Sequence, residues 1–185
     1  MNKRGGLRRN LLSKNFRGQI WVETVIYLLI AFVMMGLILS FIRPKIEELR
    51  DKVVIDQSLE IIKDIDNLII TMENSGNRRL LEVGISKGSL IIDSENDKII
   101  FEMDSEYTYS EPGAEVQIGN VIAITESRGK NSKITLSRDF SEEYNLTYNS
   151  KEVLKTLGKA STPYKLFFTN EGELLGRIII NFETE

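Results

Sequence analysis

The chain has 185 residues, 42% of them hydrophobic, and a formal net charge of −3, which is room for one ordinary domain and an extra segment. Cysteine and histidine are both absent. That excludes a disulfide framework, a zinc knuckle and a thiol nucleophile, and it removes the commonest general base and transition-metal ligand.

Residues 1–18 hold Lys3, Arg4, Arg8, Arg9, Lys14 and Arg17, six cations with no acid, so the remaining 167 residues carry a net charge of −9. A basic tip on an acidic body is not a nucleic-acid-binding profile, because the positive charge is not on the folded part. Polar, basic and without apolar period, this segment reads as a flexible targeting leader.

Residues 20–42, IWVETVIYLLIAFVMMGLILSFI, form a run of 23 residues with one charge, Glu23. At 1.5 Å per residue the run spans about 35 Å, enough to cross a hydrocarbon core of about 30 Å. Trp21 and Tyr27 near one end, with Arg43 and Lys45 at the other, are placed as interface anchors. The run exceeds the apolar core of a cleaved secretory signal, and no small-residue cleavage site follows it. Six cations before it, against four mixed with acids just after it, favour the N-terminus inside and the C-terminus outside.

Pro44 removes a backbone donor and disfavours helix at Arg43, so a kink or short break is expected there. Over 45–73, Ser58, Ile61, Ile62, Ile65, Leu68, Ile69 and Met72 recur at spacings of three and four, which predicts an amphipathic extension of the helix. Asn74-Ser75-Gly76-Asn77 supplies its stop.

From Leu80 the period becomes that of strands. Leu80–Ser86, Ser89–Ile92, Lys98–Met103, Ala114–Thr125, Lys133–Ser137, Tyr144–Tyr148, Tyr164–Thr169 and Leu174–Phe182 are short and rich in Ile, Val, Leu, Phe and Tyr. Turn signals divide them, including Lys87-Gly88, Pro112-Gly113 and Arg128-Gly129, and Asn170-Glu171-Gly172 marks a hairpin. Lys151–Leu157 reads either as a helical turn or as an edge strand. The expected fold class is α+β, a long N-terminal transmembrane or rod helix followed by an antiparallel β-sandwich-like head over 78–185.

Four features then occur in a fixed order: a basic leader, Gly18, the polar Gln19, and an apolar helix whose Glu23 is the fifth residue after the glycine, in Arg17-Gly18-Gln19-Ile20-Trp21-Val22-Glu23. This order resembles the class III signal of type IV pilins. The polar residue after the glycine, the stretch GQIWVETVIYLLIAF and the later STPYKLFF look like the archaeal members of that family. The motif covers about 30 residues, and the helix-then-sheet layout extends the likeness over the chain. The resemblance implies a structural subunit of a type IV pilus-like surface filament, cut between Gly18 and Gln19 by a prepilin peptidase. The new ammonium of Gln19 would pair with the Glu23 carboxylate, usually of a neighbouring subunit. It implies other pilins or copies of itself, an assembly ATPase and a membrane platform as partners, membrane lipid before assembly, no enzyme activity and no cofactor.

Each part of the motif has its own physical reason. Gly18 gives a peptidase free access to the backbone. The six leader cations hold that end in the cytoplasm. A lone carboxylate in hydrocarbon is costly, less so near the end of a span, so Glu23 either reaches back to headgroup water or pairs with an ammonium. Positions 19 and 23 are one turn apart, and a pair within one chain stays open beside a pair between chains. Alternatives for the whole chain are a minor pilin or adhesin, and an uncleaved signal-anchored surface protein with a binding head.

Three weaker signals complete the reading. Gly36 and Ser40 form a small-xxx-small pair on the span, although such pairs belong to ordinary membrane helices too. Asn145-Leu146-Thr147 is the one glycosylation sequon, with Asn145 the candidate acceptor. Asp93, Glu95, Asp97 and Asp104 are spaced like calcium-loop ligands, but Lys98 replaces the glycine that the sharp turn of such a loop needs, so a polar hairpin turn is expected and no metal.

Overall fold

The computed structural model describes residues 16–72, 74–129 and 131–185, with side chains from Trp21 onward. The expectation of a flexible leader therefore lies, over 1–15, outside the described residues. The chain divides into two compact units, one ending at Arg43 and the other spanning Pro44–Glu185.

One helix, α1, runs from Phe16 to Ile70 and no break interrupts it at Pro44. Proline deletes a single i→i−4 bond, and the residues on either side are strong helix formers that keep the ladder going. In the first unit its residues from Trp21 to Ile42 are exposed on every face except at Val25, which is half-buried. A sequence apolar all round has no polar face to give to water, so this segment can be satisfied only by surroundings other than water.

In the second unit α1 is amphipathic. Asp51, Ile55, Ser58, Leu59, Ile62, Ile65, Asp66 and Ile69 are buried, at the spacing of one helical face. Lys45–Glu48 and Glu47–Arg50 pairs line the exposed side. The helix ends as expected before Asn74: the Asn170 side-chain amide donates to the Met72 carbonyl at 2.7 Å, and Gly76 turns the chain at a φ of 81°.

Ten strands follow: β1 (Arg78–Val83), β2 (Ser89–Asp93), β3 (Lys98–Ser105), β4 (Glu115–Ile118), β5 (Val121–Arg128), β6 (Asn131–Asp139), β7 (Tyr144–Tyr148), β8 (Leu154–Gly158), β9 (Tyr164–Leu174) and β10 (Arg177–Thr184). They form a four-stranded sheet in the order β1-β9-β10-β7 and a six-stranded sheet in the order β4-β5-β6-β3-β2-β8. Every pairing is antiparallel but one: β10 runs parallel to β7. The chain leaves β7, places β8 in the other sheet and returns through β9, a connection long enough to bring β10 alongside in the same sense.

Two local expectations are revised and one open alternative is decided. Ala114–Thr125 is two strands, because Gly119-Asn120 makes a tight turn between Ile118 and Val121. Lys151–Leu157 contributes an edge strand, β8. Asn170-Glu171-Gly172 lies inside β9, where the register slips so that Gly172 faces Ile179 and Asn170 faces Ile180. Glu171 is the extra residue of a β-bulge, and Gly172 takes its positive φ of 101°. The hairpin turn itself is Leu175-Gly176.

The core of the second unit is one cluster. It joins Ile55, Ile62 and Ile65 of α1 to Ile92, Ile99 and Leu136 of the six-stranded sheet and to Leu146, Phe168 and Phe182 of the four-stranded sheet.

Candidate functional site

The residues singled out by the motif lie in the first unit. The backbone of Gly18 and Gln19 belongs to α1. Glycine lowers helix propensity by about 1 kcal/mol relative to alanine, so Gly18 weakens the helix locally. Glu23 is exposed, and the Tyr27 hydroxyl donates to its Oε1 at 3.5 Å, the outer limit of a hydrogen bond. The contact joins positions i and i+4 of one helix. Trp21 is 71% exposed and Phe41 77%. Space around Gly36 is open, with nothing within 4 Å of the point a Cβ would occupy.

Among the described residues, α1 is the one helix long and apolar enough to cross a membrane, with mean hydropathy 2.8 over its most apolar window and none of that window buried. A soluble core helix of this composition would be covered by its own chain; this one is not.

The other candidates lie in the second unit, where the β2–β3 turn with Asp93 and Asp97 meets the sequon strand through the Leu146 N–H. Asn145 is half-buried on β7, an edge strand, opposite Ile179. Thr147, two residues on, is buried, and its hydroxyl donates to Asn181 Oδ1 at 3.2 Å. The sequon is thus only partly accessible in the folded head. Asp93 accepts from the backbone and side-chain amides of Asn96, at 3.1 and 2.9 Å. Asp97 accepts from Arg177 at 2.7 Å and from the Leu146 N–H at 2.8 Å. Asp104 is exposed far along β3, about 20 Å from the turn. Asp93 and Asp97 build the β2–β3 hairpin turn and its anchor.

Sequence reasoning missed two buried carboxylates on α1. Asp51 pairs with Lys87 and accepts from the Glu106 N–H at 2.8 Å. Asp66 accepts from Arg138 Nε at 2.7 Å and from Asn120 Nδ2 at 2.9 Å. Their signal was present: 51, 55, 58, 62, 66 and 69 continue the buried stripe, so an acid there must meet a donor on the sheet. Nearby, the Tyr144 phenol is pushed above its ordinary value by burial, by Glu143 and by Asp66, against the opposing pull of Arg138. Burial pushes the Asp139 carboxyl up, but the Ser141 hydroxyl and N–H and the Lys98 ammonium outweigh it and hold that carboxyl below its usual value.

No family model, no curated protein and no solved structure matches the chain.

Proposed function

We propose that the protein is a type IV pilus-like filament subunit that acts by assembly and not by catalysis. The observation that carries the proposal is the bare apolar helix Trp21–Ile42, uncovered by its own chain, on a unit separate from a head with its own core. Such a surface needs lipid or other apolar helices around it. With the basic leader inside, the chain crosses the membrane once and its head is extracytoplasmic, the two sheets packing as a sandwich.

A prepilin peptidase then cuts between Gly18 and Gln19. Gly18 weakens the helix at this bond. Glu23, one turn below the new ammonium, gives neighbouring helices a charge pair and a register in lipid. An assembly ATPase and its membrane platform move the subunits, and the acidic heads form the filament surface.

N-terminal sequencing of the mature chain tests the proposal. A start at Gln19 is expected. A chain that keeps its leader in a host with a competent peptidase overturns it.

The Tyr27–Glu23 contact favours a second reading, an uncut signal-anchored surface protein, because it gives the carboxylate a partner within its own helix. In that case Glu23→Ala leaves surface display and assembly state unchanged.

A further inference from the structure

The tip of the β9–β10 hairpin carries two leucines where turn chemistry asks for none. Leu175 occupies the first position of a two-residue turn, at a φ of 54°, followed by Gly176 at 84°. Both angles are positive, as in a type I′ turn, whose first position prefers Asn, Asp or Gly. Leu175 is 96% exposed and Leu174 beside it is exposed as well. A bulky apolar side chain held in a strained and solvated place is a feature that folding does not explain.

The same unit carries a recess of the opposite shape. Ile46, Leu49 and Val53 are exposed on one face of α1, and with Val54, Ser86 and Lys87 they line a groove of about 670 Å³. That volume is within the range of sites that bury a drug-sized ligand, and two leucine side chains fit in it. Leu49 and Val53 lie seven and eleven residues past Ile42, about 10 and 16 Å along the helix, beyond the Arg43 and Lys45 that close the apolar run.

Charge matches across the two. Lys159 at the groove is exposed and makes no ion pair among the described residues. Glu173, flanking the leucines, is exposed and has no ion-pair partner among the described residues either. The two features also stand at opposite ends of the head. Tyr164 at the start of β9 pairs with Val83, close in sequence to Ser86 and Lys87 of the groove, and Leu174 is ten residues further along the strand, about 33 Å away.

We infer that Leu174 and Leu175 of one copy insert into the groove of Ile46, Leu49 and Val53 on the next copy, with Glu173 set against Lys159. Knob and groove are different surfaces, so the contact is heterologous. It propagates from head to tail and does not close as a two-fold dimer. The choice of a second copy as occupant rests on the filament proposal, which it deepens by naming a contact between heads.

The chain has no native cysteine, so engineered ones report without background. The full chain bearing both Leu175→Cys and Val53→Cys, purified in detergent micelles and mildly oxidised, is expected to give a ladder of dimer, trimer and higher species that reductant collapses. Either change alone should give no ladder. Lys159→Glu in the double-cysteine chain should abolish the ladder at low salt, and adding Glu173→Lys should restore it. Monomer alone from the double-cysteine chain overturns the contact. So do dimers from Leu175→Cys by itself, which would mean tips meeting tips. Burial of position 175 in phosphatidylcholine vesicles without a ladder also overturns it, and assigns the leucines to a lipid surface. A mature start at Gln19 with no ladder removes this contact and leaves the filament proposal standing. A retained leader with a ladder does the reverse.

Discussion

Glycine 88 shows how a single residue fixes the entry into a sheet. Its φ is +82°, and a Cβ there would lie 2.5 Å from the Glu102 carbonyl and 2.8 Å from the Met103 Cβ. Neither the backbone carbonyl nor a strand Cβ can move aside, so Gly88→Ala is expected to cost at least about 3 kcal/mol, from the strained backbone and the overpacking together. Urea denaturation of the full chain in detergent measures it. Leu175 has the opposite sign. Leu175→Asn yields the Asn-Gly pair that a type I′ turn prefers, and should stabilise the head by about 0.5–1 kcal/mol. A fall in midpoint would mean that the leucine packs within its own chain. Asp139 gives a pH dependence. Its carboxyl is held below the usual 3.8, so its contribution is present above the unfolded value and is lost as pH falls through the lower folded one. Its side chain is 47% exposed and solvent screens it, so the effect is small. Asp139→Asn should flatten the acid limb of the stability curve and leave stability above pH 6 changed only by the lost charge pair.

At the scale of elements, the join between α1 and the six-stranded sheet depends on Asp66 and Arg138, whose side chains are 9% and 19% exposed. Removing one partner strands the other, so Asp66→Ala is expected to cost about 3 kcal/mol or more. Asp66→Leu combined with Arg138→Met should recover most of that loss, since an apolar pair of similar volume carries no desolvation penalty. A double-mutant cycle checks both values. Asp66 also shows why parts of this fold were hard to read from sequence. The helix, its stop at Asn74–Asn77 and most strands were legible because their periods are local. The partner of Asp66 is 72 residues away, and only the folded sheet reveals it. Turns failed where one tripeptide supports two structures. Asn-Glu-Gly at 170–172 carries ordinary hairpin chemistry, yet Asn170 caps α1 through the Met72 carbonyl and binds the Gly172 N–H, which holds the segment as a bulge inside β9. Gly119-Asn120 escaped notice for the converse reason. Ala114, Val116 and Ile118 alternate before it, Val121 to Ile124 run apolar without a break after it, and the turn occupies only two positions.

At the scale of the whole molecule, the two units obey different rules. The head builds its own interior: Asp51, Asp66 and Asp97 have donors from the β-region, and its buried apolar residues close on one core. The segment Trp21–Ile42 leaves its apolar side chains exposed, all but the half-buried Val25, so its energetics belong to whatever surrounds it. A substitution there should consequently leave the folding of the head untouched and change association. Glu23→Ala is the sharpest case. It removes a carboxylate that costs about 2.5–3.5 kcal/mol at mid-membrane, and less near an end, so insertion is expected to improve slightly. If that carboxylate pairs with a neighbour's new ammonium, the loss appears in assembly: filaments sheared from the surface should fall to a small fraction of the normal yield while membrane-bound subunit rises. Glu23→Gln, which keeps the shape and removes the charge, should behave like the alanine. Tyr27→Phe separates the two partners of Glu23. It deletes the hydroxyl within the same helix, so if the proposed ammonium of an adjacent copy is the working partner, filaments should persist. Normal filament yield from Glu23→Ala, or equal losses from Tyr27→Phe and Glu23→Ala, would mean that the carboxylate serves its own helix and that the subunits are held together by other contacts.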